Sequence, residues 1–154
     1  MPKAKKLAAT ATTPKRPVTF GVFSTCDPRI DKASRTRCVN IVNHVADTIA
    51  ANVKMPDGKP VNVVWSPVLV DTEPQADIVA AQFRDAGVDA LVCTPDTWCF
   101  PQLSLISLLT QFPADTPLNL TCGNSGPKPG VVFTHAASGA ISQYGRLVAI
   151  NVGT

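Results

Sequence analysis

The stretch VNVVWSPVLVDTEPQADIVAAQFRDAGVDALVC, residues 61–93, decides the architecture. It opens on the apolar run Val61-Asn62-Val63-Val64-Trp65 and breaks at Ser66-Pro67, the form of a short core strand. Asp71-Thr72-Glu73-Pro74 then places acids and a proline at a helix start, where they suit the free amides and the positive end of the dipole. Ile78, Val79, Ala81, Gln82 and Phe83 continue that helix until Gly87 closes it, and Ala90-Leu91-Val92-Cys93 is a second apolar strand. The stretch therefore predicts strand, helix and strand joined by short links.

Outward from it the same alternation continues. Val18–Phe23 is a short apolar strand. Residues 34–54 carry Cys38, Val42, Val45, Ile49 and Val53 at spacings of three and four, with Ile41 and Ala46 alongside, which is the stripe of an amphipathic helix. Pro56-Asp57-Gly58 stops it. Downstream, the pattern predicts a helix around 101–111, a strand at 118–120, and an irregular Gly/Pro-rich loop from Cys122 to Gly130. A small-residue helix over about 131–144 and a fifth strand over 146–152 follow. Repeated strand–helix order with apolar strands predicts an α/β three-layer sandwich. Its five-stranded, mostly parallel, flavodoxin-like sheet has the order 2-1-3-4-5. The chain ends two residues after the fifth strand, with no further helix to cover the sheet, so it reads as a piece of a larger protein.

The net charge of +3 is set by the first residues. Lys3, Lys5, Lys6, Lys15 and Arg16 precede any acid, and without them nine basic residues face eleven acidic ones. Residues 1–17 thus read as a disordered basic tail ahead of a domain over 18–154. No basic stripe with interleaved aromatics continues into the domain, so nucleic acid is not an expected partner. No apolar run has the ~18–20 residues that span a bilayer. The five cysteines are odd in number and form no CxxC, and the tail has no apolar core like that of a secretory signal. Reduced thiols and a cytoplasmic location are the expectation.

In this topology the loops after strands one to four meet at the carboxyl edge of the sheet. They bring Asp27, Arg29, Asp96, Trp98 and Asn124 there. A planar guanidinium suits hydroxyl or carboxylate oxygens, and an indole offers a flat face to the C–H surface of a sugar. Arg29 and Trp98 together suit a polyol; the plainer reading is a salt-bridged surface arginine and a half-buried packing tryptophan. Catalytic templates fit poorly. The chain has a single glutamate, Glu73, at a helix start, and its two histidines, His44 and His135, lie inside predicted helices. No GxGxxG or Walker A run opens the first helix, and the cysteines have no histidine nearby to activate them. A metal site built from these residues is not expected.

Ordered motifs carry a family resemblance. They are Asp27-Pro28-Arg29 before a long amphipathic helix, Thr94-Pro95-x-x-Trp98-Cys99-Phe100 after the third strand, and a Gly-Asn loop with Pro129-Gly130. Gln143-Tyr144-Gly145 and a strand finishing in Gly153 complete the series. Over residues 18–153 the chain resembles the first domain of L-fucose isomerase, in the L-fucose/L-arabinose isomerase family. The resemblance implies part of a manganese-dependent aldose–ketose isomerase acting on a sugar of the L-fucose or D-arabinose class. In that family the metal ligands lie in later domains, so this chain is not expected to bind manganese or to be active alone. The resemblance further implies a homohexamer in which this domain covers the sugar site of a neighbouring subunit. The family's substrate-contacting arginine and tryptophan fall on Arg29 and Trp98, with Asp27, Asp96 and Asn124 as a possible rim. The alternative is a non-enzymatic sugar-sensing or protein-interaction module.

Overall fold

The computed structural model describes residues 16–99, 104–122, 130–143 and 148–152. Phe100, Asn124, Pro129, Tyr144, Gly145, Gly153 and the tail up to Lys15 lie outside them. Five strands form one sheet, namely β1 (Thr19–Phe23), β2 (Asn62–Trp65), β3 (Ala90–Cys93), β4 (Leu118–Cys122) and β5 (Val148–Val152). The order is β2-β1-β3-β4-β5 and every pairing is parallel, as the alternation predicts. Helices α1 (Lys32–Asn52), α2 (Glu73–Asp85), α3 (Leu105–Leu109) and α4 (Val131–Ser142) make the crossovers.

Right-handed crossovers dictate the layers. The step from β1 to β2 runs one way along the sheet and the three later steps run the other way. Hence α1 takes one face, while α2, α3 and α4 take the opposite one. Strand alternation feeds both cores. Val22 and Val92 meet Val42 and Ala46 of α1, while Phe23, Leu91 and Leu120 meet Val79, Phe83, Leu108, Phe133 and Ile141. A third cluster, Cys26, Ile30, Cys38 and Leu69, packs the loop after β1 against the first turns of α1.

Helix α1 begins two residues before the range 34–54 read from its apolar stripe, because Asp31 caps it. The Asp31 carboxylate accepts from the Ser34 amide at 2.8 Å and from the Ser34 hydroxyl at 2.9 Å. Helix α2 has Pro74 in its first turn and closes where Gly87 takes φ 64°, the left-handed conformation that spares a Cβ. Among the described residues of the region read as a helix over 101–111, the five-residue α3 is the helical part. Gln111 and Phe112 donate to carbonyls three residues back, which tightens the chain into turns before Pro113 ends it. No helix among the described residues is long and apolar enough to cross a membrane. Arg16, which the sequence reading counts with the tail, is held to Asp89 by bonds of 2.7 and 2.8 Å at the entry to β1.

Candidate functional site

The loops after β1 and β3 leave the sheet together. The Thr94 amide donates to the Phe23 carbonyl at 2.9 Å, and the Ser24 hydroxyl donates to the Thr94 carbonyl at 2.8 Å. On the other side, the Val70 amide donates to the Ser24 carbonyl at 2.9 Å. Farther out the Asp27 amide donates to the Trp98 carbonyl at 2.7 Å. Two segments 71 residues apart in sequence thus emerge at one point because their backbones are paired almost to the tip.

Asp27 organises that tip. Its carboxylate accepts from Nε of Arg29 at 2.9 Å, from Nη2 at 2.6 Å, and from the Arg29 amide at 2.8 Å. This two-pronged geometry fixes the plane of the guanidinium. Asp27 is 5% exposed whereas the Arg29 side chain is 74% exposed, so a buried anion presents a surface cation. The hydrogen bonds that the Arg29 guanidinium donates to Asp27 push it above its ordinary value and keep it charged. Trp98 is 57% exposed, more open than a packing tryptophan. Asp27, Arg29, Ile30 and Trp98 line a cavity of about 340 Å³. An adjoining cavity of about 320 Å³ shares Asp27, Arg29 and Trp98 and adds Cys99 with Val132, Phe133 and Ala136 of α4. The rim therefore brings the cation and the indole together, as their positions after β1 and β3 require.

Asp96 does not line either cavity. It is 3% exposed and ion-paired with Arg37 of α1, so it sits beneath the rim. A parallel pair joins Arg35 to Asp71 at 2.7 Å, so two arginines on α1 reach the loops that follow β2 and β3. Sequence spacing missed both pairs, because each joins residues far apart in the chain; the alternating Arg35-Thr36-Arg37 at a helix start is the one local signal. Asn124 lies outside the described residues. A larger cavity, about 450 Å³, opens between α1 and the connection from β2 to α2. It has no aromatic face, and its Arg35 is taken by Asp71.

The site holds no activated thiol. All five cysteines are free. Burial, the largest cause in each case, pushes Cys26 and Cys99 up to about 12 and Cys38 up to about 11, and raises Cys93 well above the ordinary value. Cys99 nevertheless has polar company, donating to the Thr25 hydroxyl at 3.1 Å. These thiols make stability depend on alkaline pH. Their stabilising effect is complete below an unfolded value near 9.0 and is lost as pH rises, because the unfolded chain then releases protons that the folded chain keeps. Urea midpoints measured from pH 8 to 10 should fall, and Cys26→Ala should flatten the slope by about 1 kcal/mol per pH unit.

Among the described residues no three His, Cys, Asp or Glu side chains are placed to hold a metal. His44 and His135 are exposed on α1 and α4. Among the described residues the donor set does not fit a manganese centre.

Comparison with known proteins gives consistent matches. Residues 17–154 match the family described as L-fucose isomerase, first N-terminal domain. Curated relatives include proteins named L-fucose isomerase from Streptococcus pneumoniae strains Hungary19A-6, CGSP14 and D39. Each is 27% identical over 129 residues, which is 82% of this chain and 21% of the relative. The chain thus spans about a fifth of the length of these relatives.

Proposed function

The chain belongs to the L-fucose isomerase family as a first N-terminal domain, and from that premise we propose that it forms one wall of the sugar site of an aldose–ketose isomerase. In this reading the Arg29 guanidinium donates to sugar hydroxyls and the Trp98 indole covers a C–H face. The reacting carbons and the manganese are held by residues outside this chain, and the wall is presented to a neighbouring subunit of a homohexamer. The metal, when bound there, supplies Lewis-acid polarisation of the carbonyl. Residues 18–154 act as the covering and oligomerisation domain, with residues 1–17 as an appended tail. Five free thiols support a reducing compartment, the cytoplasm.

The observation that carries this reading is the shared cavity of Arg29 and Trp98, ordered by Asp27 between two sheet-edge loops. A cation held in plane beside an open indole suits a neutral, hydroxylated ligand with one apolar face. Burying part of such an indole against a sugar is worth about 1–2 kcal/mol, or roughly tenfold in affinity. Trp98→Ala in the complete polypeptide should therefore raise KM for L-fucose about tenfold. Its melting temperature should stay near that of the parent, because the side chain is largely exposed. An unchanged KM would remove Trp98 from the sugar site and this proposal with it.

A further inference from the structure

We infer that the outward side of α4 at Val132 and Ala136 receives the methyl group of a 6-deoxy sugar and sets the preference for it. The inference rests on the isomerase reading above and names what part of the substrate that wall selects.

Helix α4 is apolar on two sides. Phe133, Ala137 and Ile141 enter the core beneath the sheet. Val132 is 64% exposed, and Ala136, one turn further on, is also exposed. Residues four apart lie on one helix face, and both line the 320 Å³ cavity with Trp98 and Cys99. The core gains nothing from an outward valine, yet here it extends an open indole into a continuous apolar wall. Asp27 and Arg29 border the same cavity.

That lining asks for a ligand with hydroxyls at one margin and hydrocarbon at the other. The volume lies at the lower end of the ~300–1,000 Å³ typical of small-molecule sites, a size suited to a monosaccharide. A methyl group against Val132 and Ala136 loses only its water cage. A hydroxymethyl group in the same place surrenders hydrogen bonds to water, and the α4 side chains return none. The spacing of the wall is rigid. Gly130 brings the start of α4 so close to the Pro95–Asp96 backbone that a Cβ would stand 2.6 Å from the Pro95 carbonyl carbon. The helix that bears Val132 and the loop that bears Trp98 therefore sit at a separation set by main chain.

The test uses the complete isomerase polypeptide and two aldoses, L-fucose and D-arabinose, which match in configuration at C2 to C4 and differ by the terminal methyl. In Val132→Asn and Ala136→Ser, the ratio of kcat/KM for L-fucose over D-arabinose is expected to fall about tenfold, the scale on which apolar pockets weigh one carbon. Val132→Ala, which keeps the wall apolar and helical, should lower the ratio less. A parent enzyme active on both sugars, with an unchanged ratio in both polar variants, overturns this inference alone. A parent enzyme inert to both overturns the isomerase reading on which it stands.

Discussion

Gly130→Ala is expected to cost about 3 kcal/mol of folding stability, the upper end of what overpacking usually removes. The glycine does not owe its place to an unusual torsion, since its φ of −69° is open to any residue. Its place is owed to proximity. A Cβ there overlaps the Pro95 carbonyl and stands 3.1 Å from the Asp96 Cα. Backbone cannot swing aside as a flexible side-chain tip can, so either α4 lifts or the loop carrying Trp98 shifts. Asp96 is also tied to Arg37, so a shift of that loop strains a half-buried ion pair. Urea unfolding of Gly130→Ala should show a lower midpoint with an unchanged slope, and Gly130→Val should lower it further. A midpoint equal to the parent's would show that the two backbones do not meet.

Phe83→Ala is expected to be at least as damaging, at about 3–5 kcal/mol. Phe83 is fully buried on α2 and meets Phe23 of β1 edge to face, with ring centroids 6.1 Å apart and planes at 67°. It thereby clamps α2 onto β1, an interior strand of the sheet. Removal leaves a cavity in the larger of the two main cores and also forfeits the aromatic pair. For a domain of this size the melting temperature should drop by roughly 10 °C by calorimetry. The contrast with Trp98→Ala is informative, because the two aromatics differ chiefly in burial. One change should remove stability, and the other should remove affinity.

The strands and helices were legible because each run and stripe showed its own period, and the order 2-1-3-4-5 was the flavodoxin-like expectation for that alternation, which the sheet has. Helix limits were less legible. The Asp31 cap extended α1 at its start, and the apolar run up to Gln111 did not show that α3 would close at Leu109. Arg29 and Trp98 could be placed on one rim because each follows a central strand by a few residues. Asp96 could not be told from an open rim acid, since its partner, Arg37, lies 59 residues away. The α4 segment was read only as a small-residue helix. The overlooked signal is that Val132 and Ala136 lie off the face defined by Phe133, Ala137 and Ile141. An amphipathic helix has one apolar face to bury, so a second one calls for a second occupant.

Asp27 uses its amide on the Trp98 carbonyl and its carboxylate on the Arg29 fork. Ordering a long side chain at an interface ordinarily costs about 0.5–1.5 kcal/mol when a ligand arrives. Here the torsions of residue 29 and the height of the indole's backbone are settled as the protein folds. Capture of a small, weakly held molecule at this edge begins from a posed receptor, and its entropy loss is mainly the ligand's own.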